Sequence, residues 1–324
     1  MAGHFVISLD FELLWGVRDV ADKDSYGRNI LGVRQAIPAM LDEFEKFGVR
    51  ATWATVGMLL CESKDEILAR APMERPTYRN PALSNYSYLD EVGANERADP
   101  YYFGASLARR ILSCPGQELA THTFSHYYCL EPGQTHLQFE ADLQAAVAMF
   151  AGMGVECRSI VFPRNQYSRN SLEICVRHDI THYRGSRQTW MYGVSDGAGQ
   201  TPLRRLARLA DAYVDFSWID ALFEKRALAE GGDLPRPSDV AGQRFLRPWA
   251  RRLAVLDGLR LRRITREMTE AAVNGEHYHL WWHPHNFGVN LDENISFLRA
   301  VLRHFAQLKD AHGMTNLTMC EIDT

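Results

Sequence analysis

The sequence predicts an α/β fold built on a parallel sheet or barrel. Three observations carry that prediction. Apolar runs of strand length recur, helical apolar periodicity fills the stretches between them, and polar residues sit just after the runs. Residues 5–9 form the first run and end at Asp10, as expected of a strand buried on both faces. Ile37, Met40, Leu41, Phe44 and Phe47 then recur at helical spacing, and Gly48 closes that helix. Strands are expected over 50–56 and 118–121. Thr135 is placed to cap a helix carrying Phe139, Leu143, Val147 and Phe150 on one side. A fourth strand is read over 159–162, with a helix near 171–178 after it. Residues 180–184 and 212–218 give weaker strand patterns, and 278–282 a strong one. Ile295, Leu298, Val301, Leu302, Phe305 and Leu308 mark a long amphipathic helix, and 317–322 a final strand.

At 324 residues the chain can bury a sizeable core, and we read residues 1–324 as one domain. Two stretches interrupt the alternation, near 72–103 and 231–248, and read as inserted loops. A hydrophobic content of 46% with 23% charged residues is ordinary for a soluble globular protein, and a net charge of −4 offers nothing to nucleic acid. The N-terminus runs straight into a strand pattern, without the basic and long apolar regions of a signal peptide. No apolar stretch reaches the ~20 residues that span a bilayer. The six cysteines are scattered with no C-x-x-C pair, which points to reduced thiols rather than a cysteine metal site. The expectation is a soluble cytoplasmic enzyme.

Three short segments carry chemistry. His122 and His126 stand at i and i+4, a spacing that puts both imidazoles on one face of a helical turn, within reach of one metal ion. Asp10 and Glu12, two apart on an extended chain, point the same way; acidic groups ending a buried strand need a partner, and a metal supplies one. Paired histidines and a carboxylate leave a coordination position open for water or substrate, the layout of catalytic zinc. Each feature also has an ordinary structural account: satisfied core histidines, or a salt-bridged strand end. His283 follows the strand at 278–282 and is suited to general acid work; His285 competes for that role, and His277 and His279 read as paired across the strand or exposed.

The chain resembles the polysaccharide deacetylases, the NodB-homology or carbohydrate esterase 4 family, in a branch tied to cytoplasmic steps of cell-surface polysaccharide synthesis. The resemblance rests on Asp10-Phe11-Glu12, His122-Thr-Phe-Ser-His126, Phe162-Pro163-Arg164-Asn165-Gln166 and Leu280-Trp-Trp-His283, four motifs in family order across nearly the whole chain. It implies a distorted (β/α)7 barrel that removes the N-acetyl group of an amino sugar. It implies Asp10 as general base, His283 as general acid and Glu12, His122 and His126 as metal ligands. Leu280 would line the pocket for the acyl methyl group. Two departures stand out: the family's adjacent Asp-Asp is here Asp-x-Glu, and Arg164 follows Pro163 instead of preceding it by two residues. Arg164 is retained as a catalytic candidate that orients Asp10 or binds substrate. Asp211 and Asp215 are the candidates for an aspartate that tunes His283.

Trp15, Tyr127, Asn165, Gln166, Trp282 and Asn286 flank these motifs and complete the candidate sugar-binding set with Leu280. Arg247 and the arginine-rich helix after it are weighed as a diphosphate site against a solvated helix face with charges around Leu253, Leu256 and Leu259; the solvated face is favoured for the helix. The expected function is a hydrolase with one divalent metal, zinc first, with cobalt, nickel or manganese as alternatives. Its substrate is expected to be a nucleotide- or lipid-linked amino sugar, with peripheral membrane contact through the lipid. The competing readings are an amidohydrolase acting on a small non-sugar amide or ureide, and a saccharide-binding barrel without turnover.

Overall fold

The computed structural model describes residues 2–186, 193, 201–213 and 236–322. The strands are β1 (His4–Phe11), β2 (Thr52–Thr55), β3 (Glu118–Thr121), β4 (Ser159–Ile160), β5 (His182–Tyr183), β6 (Ser238–Asp239), β7 (Arg244–Phe245), β8 (His277–Trp282) and β9 (Thr315–Leu317). The helices are α1 (Lys23–Phe47), α2 (Gly57–Leu60), α3 (Lys64–Arg70), α4 (Ala105–Leu112), α5 (His136–Gly152) and α6 (Arg169–Arg177), followed by α7 (Pro202–Asp211), α8 (Asp257–Asn274) and α9 (Leu291–His312). All strand pairings are parallel, in the order β6-β5-β4-β3-β2-β1-β8-β7, with β9 added beside the start of β1.

The sheet curls until its two ends meet in one stretch of chain. Residues 238–242 bond to β5 and its continuation, through Val240 N–H to Tyr183 and Gly242 N–H to Gly185. Residues 243–246 bond to β8, through Gln243 N–H to His279 and Leu246 N–H to Trp281. This stretch therefore acts as a seventh strand between β5 and β8 and makes a distorted seven-stranded α/β barrel, as expected. It also corrects the inserted-loop reading of 231–248: residues 238–246 are barrel strand. Residues 238–246 carry no apolar run of strand length, so periodicity does not reveal them. Of the 212–218 strand pattern, Ala212 and Tyr213 form a turn after α7 and the rest lies outside the described residues.

Alternation along the strands sorts side chains into two layers. In β1, Phe5, Ile7, Leu9 and Phe11 face the helices and join the large outer core. Val6 packs inside the barrel with Ala54, Ala120, Val161 and Val240, and Met319 and Ile322 close the end where the strands begin. Asp10 continues the inward face of β1 toward the opposite rim. The helices follow their end signals. Gly48 stops α1 in the left-handed conformation, and Thr135 caps α5 in a reciprocal capping box with Gln138. The final chain segment gives the short strand β9 and then a 3-10 turn over Met319–Glu321, in place of one strand over 317–322.

The stretch 72–103 contains 3-10 turns and packs onto the rim loops from behind. Asn85 Nδ2 donates to the carbonyls of Trp15 and Ser125, at 2.9 and 3.0 Å. The Tyr78 hydroxyl accepts from Tyr128 N–H at 2.8 Å. No helix among the described residues is long and apolar enough to cross a membrane.

Candidate active site

The rim where the strands end holds a cleft of about 490 Å³, lined among others by Asp10, Glu12, His122, His126, Arg184, His283 and His285. Glu12 leaves the end of β1 and turns its carboxylate back over Gly16, so closely that a Cβ on Gly16 would overlap it. There Glu12 Oε2 lies 3.3 Å from His122 Nε2 and 3.1 Å from His126 Nε2. All three residues are buried, and among the described residues they form the cluster fit to hold a metal ion.

The histidines do not share a helical turn. Residues 122–126 form a loop after β3 with positive φ at Thr123 (64°) and His126 (58°), and this left-handed path brings the rings to 5.0 Å. The two rings meet as the i, i+4 spacing predicts, but across a left-handed loop and not along a helical turn. Three buried acceptor side chains hold the loop. Thr121 Oγ1 accepts from Thr123 N–H, and Thr123 Oγ1 from Tyr127 N–H. Asp142, on α5, accepts from Phe124 N–H at 2.7 Å and from the Ser125 amide and hydroxyl. Burial pushes the Asp142 carboxyl up to about 6 against those donors.

Proton positions test whether a cation fits. His122 Nδ1 lies 2.7 Å from the Val161 carbonyl, which can only accept, so Nδ1 carries the proton. In the neutral ring Nε2 is then a bare acceptor facing an ionised carboxylate. Burial lowers the His126 pKa, with Glu12 opposing, which favours the neutral ring there. Two acceptors and a carboxylate this close repel unless a cation lies between them. Tetrahedral zinc with bonds near 2.0–2.1 Å separates its ligand atoms by about 3.3 Å, matching the spacing found. The Val161 carbonyl is the kind of outer partner that orients a ligating imidazole. The residues fit a divalent ion.

Asp10 lies beside this cluster. Arg184, at the end of β5, grips it with both arms, at 2.6 and 2.8 Å. Burial alone would raise the Asp10 pKa, but Arg184, helped by His283, holds it below the ordinary value. Burial would raise the Glu12 pKa too, but His283 opposes it and the carboxyl is held well below its ordinary value. His283 Nε2 stands 3.7 Å from both Asp10 and Glu12, and its ring stacks on His285 at 4.9 Å. Asn286 lies 3.5 Å from His283 Nδ1, which leaves Nε2 as the ring atom facing Asp10 and Glu12. Burial, reinforced by His283, pushes His285 down to about 3, so it stays neutral.

The remaining sequence candidates divide. Arg164, Asn165, Gln166 and Asn286 line the cleft. Arg164 pairs with Asp19 and Glu131 and lies over Tyr128, while its neighbour Asn165 accepts from Arg184 at 3.2 Å; Arg184, not Arg164, orients Asp10. Trp15, Tyr127, Leu280 and Trp282 are all buried outside it. Trp15 donates to the Tyr102 carbonyl and Tyr127 to that of Thr135. Leu280 and Trp282 share the outer face of β8, where Trp282 packs on Phe44, Phe287 and Met40. The strand alternation that sends them outward sends Trp281 into the cleft beside Phe245, at 4.8 Å between rings.

His279, read as surface or cross-strand paired, is fully buried inside the barrel. Asp211 accepts from Arg244 and Arg263, both at 3.3 Å, and so belongs to an ionic cluster with Glu267 rather than to His283; Asp215 lies outside the described residues. The same cluster corrects the arginine-rich helix. Arg260 and Arg263 are buried, and Arg260 binds the carbonyls of Arg247 and Pro248 and lies on Phe297. Arg184, Trp281, Phe245 and Asp19 were not anticipated. Arg184 had a signal, since it ends a predicted strand just as Asp10 does.

No protein-family model matches the chain, and no curated protein is significantly similar to it. Solved structures are similar at low identity. A carbohydrate esterase 4 family pseudoenzyme from Bacillus anthracis matches at 11% identity and TM-score 0.46, over 99% of this chain and 65% of that one. The chain thus spans less than two thirds of that protein. A family 4 acetyl xylan esterase from Clostridium thermocellum, in complex with cobalt, matches at 11% identity and TM-score 0.41, over 98% and 88%. A 4-alpha-glucanotransferase from Thermococcus litoralis matches at 11% identity and TM-score 0.49, over 98% and 37%. Likeness at this level leaves activity to the site itself.

Proposed function

We propose that this protein is a metal-dependent hydrolase that removes an N-acetyl or other small N-acyl group from an amino sugar. The observation that carries the reading is the Glu12–His122–His126 cluster with an ionised Asp10 on one side and His283 across from it. Glu12 and the two Nε2 atoms would hold the ion. A divalent cation there, zinc first, would polarise the amide carbonyl and acidify a bound water. Asp10, kept ionised by Arg184, takes the proton of the attacking water. The free lone pairs of its oxygens remain available, since each is engaged by a single guanidinium arm. His283, part exposed at the cleft, would act as an imidazolium that gives its Nε2 proton to the departing amine, otherwise a poor leaving group, and returns to the neutral ring. Trp281 and Phe245 offer an aromatic wall of the kind on which a sugar ring stacks. The substrate we favour is a nucleotide- or lipid-linked amino sugar of cell-surface polysaccharide synthesis, met in the cytoplasm.

The test is acetate release from N-acetylated nucleotide sugars and glycans by zinc-loaded protein. Release that is lost in Asp10→Asn supports the reading. Turnover of small ureides without release from any sugar would replace it with a non-sugar amidohydrolase. Saccharide binding that survives Asp10→Asn, with no turnover by either protein, would replace it with a binding barrel.

A further inference from the structure

Beneath Asp10 the barrel interior holds a chain of polar groups in which every proton can be assigned. His279 Nδ1 lies 3.0 Å from the Val240 carbonyl, an acceptor only, so Nδ1 carries the proton and Nε2 accepts. The Ser8 hydroxyl, 2.8 Å from that Nε2, must donate to it. Its oxygen is then free to accept from Arg184 Nη1, 3.0 Å away, and the same Nη1 donates to Asp10. Burial, reinforced by Arg184, drives the His279 pKa to about 3, so the ring is neutral and the direction of the chain is not reversed near neutral pH. Ser8, His279 and Arg184 are all buried, and the Trp281 ring covers the guanidinium at 4.1 Å.

We propose that Ser8 and His279 are positioning residues for Asp10: His279 sets the direction of the Ser8 hydroxyl, whose oxygen fixes the rotation of the Arg184 guanidinium that grips Asp10. Arg184 also reaches Asn165 Oδ1 through Nη2, at 3.2 Å, on the rim side. The Ser8 contact holds Nη1 from inside the barrel, so that the two together fix the guanidinium plane and with it the Asp10 carboxylate. The catalytic part of this inference rests on the proposed hydrolase reading; the structural part does not.

The test uses the full chain. Nitrogen-15 NMR of the His279 ring at pH 7 is expected to show Nδ1 protonated and Nε2 bare, and a ring protonated at Nε2 would overturn the proposal. Arg184 Nη resonances are expected to be separate, from slow rotation, in the wild type and in Ser8→Thr, and to average in Ser8→Ala. Equal restriction in Ser8→Ala would also overturn it. With zinc-loaded protein, Ser8→Ala should lower kcat for acetate release by about 10- to 100-fold at unchanged KM and metal stoichiometry, with Ser8→Thr restoring most of it. A Ser8→Ala enzyme of wild-type kcat would refute the positioning role. If the NMR results hold and the wild type releases no acetate, the hydrolase reading fails and the buried chain stands.

Discussion

The Glu12 carboxylate rests on the Cα of Gly16, in space that any side chain at position 16 would occupy. This contact lets the Glu12 side chain fold back from the end of β1, with Gly16 as its floor, so that the carboxylate meets His122 and His126. Gly16→Ala is predicted to displace the carboxylate and weaken zinc binding by at least 10-fold, on the scale of about 1.4 kcal/mol. Calorimetric titration of metal-free protein checks this; wild-type affinity in the variant would remove Gly16 from the account.

Arg184 compensates the charge of a buried Asp10, and removing one partner of such a pair costs roughly 3–5 kcal/mol. Arg184→Met is predicted to lose stability on that scale. It should also raise the Asp10 pKa, because burial then acts unopposed by the guanidinium. The acid limb of kcat/KM for acetate release should therefore move to higher pH. An unchanged limb alongside reduced stability would make the pair structural only.

Asp142 gives a pH signature of the opposite sign. Its folded pKa, about 6, lies above its ordinary 3.8, so between these values the native state binds a proton more readily than the unfolded chain. Its contribution to stability is therefore most favourable at low pH and falls as pH rises through about 4 to 6, by up to about 3 kcal/mol. Thermal unfolding of wild type and Asp142→Asn from pH 4.5 to 7 should show the wild type losing ground to the variant as pH rises. A difference constant with pH contradicts the shift.

Leu280 and Trp281 are adjacent in sequence and opposite in role. Leu280→Ala should cost roughly 2–5 kcal/mol of stability, as large-to-small core changes do, and leave KM near wild type. Trp281→Ala should raise KM for a sugar substrate by about 10-fold with a smaller effect on stability. Reversed outcomes would mean that β8 presents its other face to the cleft.

Much of the architecture was legible because it depends on local periodicity. The apolar run ahead of Asp10, the Thr135 cap and the Gly48 stop all act within a few residues and appear as expected. Members of the Glu12–His122–His126 cluster were legible through residue type and order. What escaped depends on pairing across the barrel. Nothing local to Arg184 announces a partner 174 positions away. The closing strand at 238–246 is split, one half bonding to β5 and the other to β8, and neither half is an apolar run of strand length. Flanking a motif was a poor guide to lining the cleft: Trp282 and Tyr127 adjoin site residues in sequence, but strand alternation and loop direction turn them into the core.

The central claim is that Glu12, His122 and His126 share one divalent cation, and metal stoichiometry tests it most directly. Chelator-stripped wild-type protein titrated with zinc should take up one equivalent, and the folded His122→Ala/His126→Ala double variant none. A full equivalent of zinc retained by the double variant would contradict the account.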